Sequence, residues 1–474
     1  MNEDGTYRDI PKAAMGDSSA GFVAAHNLFQ DVTDYMHSEG KTPLTRANGF
    51  TEWVPTTPAG DELTASDYVV EEYKLKDYSG GALADSSVTE KPALGADHGL
   101  KLSDLRGKDY YDPLWDDLLD QLTQEDYNNA SQLMDSYAFA EIESVGKPYN
   151  KDSDGPQGLK GPFTPTGGAG AAPDKHGNAW PTEPIVAATF NVDLARGYGE
   201  CVGDEAMQLG FMGWYGPGLN IHRSPFAGRN YEYYSEDGFL SGRMGATVIE
   251  AASSKGVICY IKHYMLNDQE SDRNGGASWC DEQAMREIYL KAFELAVKEP
   301  VTTVKYTNVE TGELGEKQMR SAFGLMTSYN RVGATWVGGC EAAINGVLRT
   351  EWGFRGTVIT DFGVALKYMS SDQAHYAGGD QYLGIPGFSA PQQDTTSPSA
   401  MWSLRNSYKN FFYAAAHSNI MNGVPAGAAY AYSMSPWAVW LLIANIVIYG
   451  FIIGMTTYLA IRFVRNKKSN VQEA

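Results

Sequence analysis

Cysteine is scarce in this 474-residue chain: Cys201, Cys259, Cys280 and Cys340 stand far apart, with no C-x-x-C pair among them. That spacing excludes a zinc ribbon or a dithiol redox motif, and Cys259, within the apolar run GVICYI, reads as a core thiol. Basic charge is also in short supply, with 37 Lys and Arg against 58 Asp and Glu and a net charge of −21. A phosphate backbone or an anionic lipid surface repels such a chain, so no nucleic acid is expected as a partner. The N-terminus MNEDGTYRDI has neither the basic flank nor the apolar core of a signal peptide. The glycine-rich GGAGAAPDKHG at 167–177 lacks both the Lys-Ser/Thr of a phosphate loop and a dinucleotide pattern, and reads as a loop.

What is present is enough apolar material, 43% of residues with 12% aromatic, to bury the core of one large domain and smaller pieces. The longest apolar run, Pro436 to Ile461, contains no charged residue and one amide, Asn445. It exceeds the ~20 residues that cross a bilayer as a helix. Trp437 and Trp440 flank one end, Tyr458 the other, and Arg462, Arg465, Lys467 and Lys468 follow. This arrangement predicts a transmembrane helix over 436–461 with a cytoplasmic basic tail at 462–474, and a single-pass protein of the cell membrane with its main domain outside. Export without a signal then predicts that these residues are the C-terminal portion of a longer protein.

Residues 1–100, rich in Asp, Gly, Thr and Pro, read as the trailing part of an upstream module plus a linker. A helix is predicted over 112–134, with Leu114, Leu118, Leu119 and Leu122 on one face. Beyond it, PIVAATF (184–190), GPGLNI (216–221), GVICYI (256–261), GLMTSY (324–329) and GTVIT (356–360) read as buried strands bounded by glycine or proline. Between them, Met285, Ile288, Tyr289, Ala292, Phe293, Ala296 and Val297 mark an amphipathic helix over 281–297, and VKYTNVETGELGEK (304–317) reads as an inserted hairpin. Strand then helix, repeated, predicts an α/β fold: a (β/α)8 barrel-like catalytic domain over 101–425, after an irregular N-terminal segment and before the single C-terminal helix.

Each predicted strand ends in polar side chains. His222, Arg223, Arg229, Asn230 and Glu232 follow one, Lys262 and His263 another, Tyr329 and Asn330 a third, and Asp361 the last. In a barrel such positions gather at the C-terminal face. Together with Asp154, several tyrosines and Trp336 they would offer charged donors and acceptors for hydroxyl groups and aromatic faces for a sugar. They include no His and carboxylate cluster at metal-ligand spacing, so neither a metal nor a cofactor is expected. The run TDFG at 360–363 matches the magnesium-binding triplet of a protein kinase. The context excludes that reading, because the only His-Arg, His222-Arg223, is followed by serine and lies far upstream.

GPGLNIHRSPFAGRNYEYYSEDGFLSG, IKHYMLNDQE, DEQAMREIYLKAF, MTSYNRVG and VLRTEWGFRGTVITDF, in this order, resemble the barrel domain of glycoside hydrolase family 3. DSDGPQGL and NFFYAAAHSNIMNG extend the likeness over about residues 105–423. The resemblance implies a retaining, exo-acting β-glycosidase, of β-glucosidase or β-xylosidase type, acting on a terminal β-linked sugar of an oligosaccharide or β-glycoside. Asp361 would be the nucleophile, Asp154, Arg229, Lys262 and His263 would hold the sugar hydroxyls, and Tyr329 would hydrogen-bond the nucleophile. Among cationic donors the Asp361 carboxyl is expected to have a depressed pKa. Phe362 replaces the family's usual tryptophan, Gly238 its usual proline, and Gly363 is given no role. KHYMLNDQE lacks the histidine-containing loop of the family's hexosaminidases.

A retaining glycosidase needs a second carboxyl about 5 Å from the first. In the family this usually comes from an α/β sandwich domain, for which the residues between Gly423 and Pro436 leave no room. The acid/base is therefore expected from an upstream sandwich domain or a second chain, with Glu270 and Asp268 as internal substitutes. The alternative is a non-catalytic, membrane-anchored carbohydrate-binding surface protein that keeps the pocket.

Overall fold

A computed structural model describes residues 28–29, 83–129, 137–159, 177–271, 273–278, 280, 282–333, 335–363, 366, 368–384, 394–428 and 436–472. The glycine-rich loop at 167–176 and most of residues 1–82 lie outside the described residues. Two units form, one up to Ala429 and one from Tyr430.

The larger unit is built on a six-stranded sheet. Its strands are β1 (Ala138–Phe139), β2 (Asn150–Asp154), β3 (Gly213–Tyr215), β4 (Ile258–Tyr264), β5 (Gly324–Thr327) and β6 (Thr357–Ile359), in that spatial order. β1 is antiparallel to β2, and every later pair is parallel. A parallel bridge from Ile359 to Gln381 marks one further position beyond β6. Among the described residues the barrel is therefore incomplete relative to the expected eight strands.

Alternate residues along each strand enter different cores, as a pleat with a period of two requires. Cys259, Ile261, Leu325 and Val358 pack against the outer helices, whereas Ile258, Tyr260, Met326 and Ile359 pack with Trp115, Phe411 and Phe412. The outer layer contains α1 (Glu183–Ala188), α2 (Val192–Leu209), α3 (Gly238–Ser253) and α4 (Lys291–Lys298). Asn191 caps α2 by accepting Asp193 N, and Asp237 caps α3 by accepting Phe239 N and Leu240 N. The two helices lie against one another because α2 carries Gly199, where an added Cβ would come within 2.5 Å of Val248 O. The last helices of this unit are α5 (Ser371–Tyr376) and α6 (Pro398–Ala416).

Several expectations are corrected. PIVAATF is helix α1, not a strand: Pro184 stands in its first turn, Val186 and Ala187 are buried, and Ile185 is exposed. A short apolar run cannot separate the two by pattern alone. The strand expected at 216–221 lies earlier, at β3, and its successor makes only a single bridge, Gly218 to Lys262. The helix expected over 112–134 breaks into Leu114–Asp120 and Gln124–Asn128. Thr123 starts the second piece by a reciprocal exchange, its Oγ1 accepting Asp126 N while Asp126 Oδ2 accepts Thr123 N. The helix expected over 281–297 forms with a π-helical stretch, Met285–Tyr289, inside it, and the inserted hairpin is present as paired strands Val301–Thr307 and Leu314–Arg320.

The smaller unit is one helix, Pro436–Gln472, of which Pro436–Asn466 is long and apolar enough to cross a membrane, with mean hydropathy 2.2.

In the larger unit, Arg349 and Asp380 form a fully buried ion pair at 2.6 Å. Asp380 also accepts Val358 N and Asn410 Nδ2. Burial raises its pKa to about 6 against the pull of Arg349. Removing one partner strands the other charge, so Asp380→Ala is predicted to cost about 3–5 kcal/mol in urea unfolding.

Candidate active site

Strand ends bring the titratable groups together. β2 ends at Asp154, β4 carries Lys262 and His263 near its end, and Asp361 follows β6, its N–H donating to Thr327 O at the end of β5. Arg229 precedes a 3-10 turn, Asn230–Glu232. A continuous chain of contacts links them. Lys262 Nζ lies 3.3 Å from Asp154 Oδ1 and 3.8 Å from Glu232 Oε2. Glu232 pairs with Arg229 Nε, and Arg229 Nη2 lies 3.0 Å from His263 Nε2. His263 Nε2 in turn is 3.6 Å from Asp361 Oδ2.

The protonation of His263 follows from its neighbours. Burial, followed by the charges of Arg229, Lys262 and Arg273, pushes its pKa well below the ordinary value, so the ring is neutral. Arg229 can only donate, which makes Nε2 the acceptor and leaves the proton on Nδ1, 3.1 Å from Tyr233 Oη. The peptide of His263 is also held: its N–H donates to Asn220 Oδ1 at 2.8 Å, and its carbonyl accepts from Asn220 Nδ2 at 3.0 Å.

Asp361 departs from the expected depression. Burial raises its pKa, and Arg229, the Phe362 N–H, Lys262 and Arg273 pull it down without reversing the direction. Desolvation wins because the carboxylate has lost most of its water while the cations are shared with other acids. Its Oδ1 accepts Phe362 N at 2.7 Å, and its Oδ2 has no hydrogen-bond donor among the described residues. Tyr329 is beside the site, but its hydroxyl donates to Phe362 O at 2.9 Å. Burial, then the charge of Asp361, raises its pKa.

Not every predicted group converges. Trp336 is fully buried, its indole donating to Ser328 O, and His222 bonds to Tyr233 O. Glu270 lies between two guanidinium groups, 2.8 Å from Arg273 and 3.6 Å from Arg229. Asp268 accepts Ile221 N at 2.6 Å, and burial raises its pKa to about 7. Gly363 does have a role, since an added Cβ would come within 2.2 Å of Tyr382 Oη, the group that donates to Gly363 O. Sequence reading missed Asn220, Tyr233 and Arg273. Arg273 lies over the Tyr329 ring at 4.6 Å, and its distance from Glu270, three residues away, was the available signal. Among the described residues no group of His, Cys, Asp and Glu is placed to hold a metal ion.

Residues 167–377 match the glycosyl hydrolase family 3 N terminal domain. The chain is 35% identical over 230 residues to Beta-glucosidase A of Butyrivibrio fibrisolvens, covering 48% of this chain and 24% of that protein. It is 37% identical over 218 residues to Beta-glucosidase B of Emericella nidulans, covering 46% and 23%. The structure of beta-glucosidase 3B from Thermotoga neapolitana in complex with glucose superposes with a TM-score of 0.53 at 27% identity, covering 65% of this chain and 43% of that one. A beta-glucosidase from Paenibacillus barengoltzii gives a TM-score of 0.57 at 24% identity, covering 81% and 38%, and supports the fold alone. The chain thus spans about a quarter of the length of the curated relatives it matches.

Because Arg229 is the foremost group opposing the burial of Asp361, Arg229→Met is predicted to raise the Asp361 pKa further. Carboxyl-carbon NMR titration of the two proteins checks this; an unchanged or lower value would contradict the assignment.

Proposed function

We propose that this barrel, of the glycosyl hydrolase family 3 type over residues 167–377, belongs to a retaining, exo-acting β-glycosidase of β-glucosidase or β-xylosidase type. The observation that carries the reading is Asp361 Oδ2, presented at a strand end without a hydrogen-bond donor among the described residues and within the field of the Arg229, Lys262 and Arg273 cations. That the relatives from Butyrivibrio fibrisolvens and Emericella nidulans are beta-glucosidases supports it.

In the proposed reaction Asp154, Lys262, Arg229 and His263 bind hydroxyl groups of a terminal sugar, and Asp361 Oδ2 attacks the anomeric carbon. A covalent glycosyl-enzyme forms as the bond to the leaving oxygen breaks, and water then releases the sugar with retained configuration. His263 acts as a neutral hydrogen-bonding group, not as the proton donor, because burial and three cations oppose its protonation. Glu270 is engaged by Arg229 and Arg273, which favours a carboxyl from an additional domain or chain as the acid that protonates the leaving group.

A 2-deoxy-2-fluoroglucoside with a dinitrophenolate leaving group needs little acid assistance. Incubation is expected to add one sugar mass to the peptide containing Asp361, detected by mass spectrometry. Asp361→Gly is expected to abolish the adduct and lower aryl glucoside hydrolysis by at least about a thousandfold. Labelling elsewhere, or undiminished hydrolysis in the variant, rules the nucleophile out.

We also propose that Pro436–Ile461 anchors the protein in the cell membrane, with the barrel outside and the basic tail in the cytoplasm. The full chain should stay in the membrane pellet through alkaline carbonate extraction, and a chain ending at residue 428 should be released. Release of the full chain would exclude the anchor.

A further inference from the structure

Away from Asp361, a cavity of about 760 Å³ lies between α6, the π-helical segment Ala342–Glu351, the end of α5 and the strap at 83–90. Its relation to the strand ends is fixed by Asp380, which accepts Val358 N near the start of β6. Asp361 follows the opposite end of that strand, roughly 10 Å further along it at ~3.3 Å per residue. The volume falls within the roughly 300–1,000 Å³ range of small-molecule sites.

The lining is polar in an unusual place. Helix α6 turns Met401, Leu404, Phe411 and Phe412 into the core, whereas Ser399, Trp402, Ser403, Asn406, Ser407 and Asn410 line the cavity at helical spacing. The strap is tied to this face, Asp85 N donating to Ser399 Oγ and Trp402 Nε1 to Glu90 O. At the base, Arg349 and Asp380 neutralise one another. His375 lines the same space with its Nδ1 on Ser407 Oγ, and its buried Nε2 has no partner among the described residues. Asn345 Oδ1 is likewise unpartnered. Burial lowers the His375 pKa to about 4, so the ring is neutral at ordinary pH. Trp402 remains 38% exposed at the rim.

These features select a ligand. The ion pair at the base is already satisfied, and Asp85, Glu90 and Glu341 also line the cavity, so it repels anions and favours a ligand rich in hydrogen-bond donors such as hydroxyl groups. Amide, hydroxyl and imidazole groups with an exposed indole suit a ring that carries hydroxyls on its edge and C–H groups on its face. We infer that this cavity is a second, non-catalytic saccharide-binding site, which holds a neutral sugar unit of a glycan against α6 while the strand-end pocket remains free. The inference does not depend on Asp361 being a nucleophile.

The test uses the full chain in a detergent without a sugar headgroup, carrying Asp361→Gly to prevent turnover. Retention is measured on beads bearing mixed-linkage β-glucan or xylan. Trp402→Ala is expected to weaken retention by about fivefold or more, and Trp402→Phe to recover most of it. Asn406→Ala, on the same face, should also weaken it. In the Asp361 parent, Trp402→Ala should leave hydrolysis of 4-nitrophenyl β-glucoside unchanged, so a failed glycosidase reading and a failed second site give different results. Absence of retention on both glycans overturns the inference, as does equal retention by Trp402→Ala. A loss that Trp402→Phe does not recover and Asn406→Ala does not share also overturns it, by tracing the effect to the strap contact alone.

Discussion

The polar architecture of the strand-end pocket depends on Arg229. One guanidinium meets Glu232, Glu270 and His263, and its charge is the first to oppose the burial of Asp361. Burial also works against the cation itself, but Tyr233, Glu232 and Asp361 more than offset that and keep it charged. The acids and bases are thus mutually dependent: each is tolerable out of water because the others are there. Such a network fixes positions more than it contributes net stability.

Rigidity comes from the backbone. Asn220 holds both peptide groups of His263, and Asp361 is tied to the neighbouring strand through Thr327 O. The carboxylate's Oδ1 is occupied by its own neighbour's N–H, whereas Oδ2 accepts no hydrogen bond among the described residues. Pre-set geometry of this kind removes reorganisation from a reaction step.

Much of this was legible in the sequence. Asp154, Arg229, Lys262, His263 and Asp361 could be gathered because strand ends share one face of a parallel sheet, a consequence of topology alone. Tyr329 was placed correctly beside Asp361: its hydroxyl donates to the carbonyl of Phe362, the next residue, and its phenol also interacts with the Asp361 side chain. The sign of the Asp361 shift was not legible, because it depends on burial, and a list of nearby cations does not report how much water is lost. Trp336 misled for a related reason: an indole near a strand end can point to the core as readily as to a ligand. PIVAATF and the break at Thr123 were missed because a seven-residue, mostly apolar run, or one capping threonine, is a weaker signal than a full amphipathic turn repeat.

Arg106 makes the sequence of events during synthesis matter. Its buried guanidinium donates to Lys305 O, Ala416 O, Ser418 O and Asn422 Oδ1, closing the last turn of α6 from a point 310 or more residues upstream of its three final acceptors. While the ribosome is still translating, that cation has none of these three acceptors, and the early segment that carries it cannot be buried favourably. The larger unit therefore completes its folding only as its final turn emerges, and the nascent chain depends until then on whatever else can shield its unfinished core.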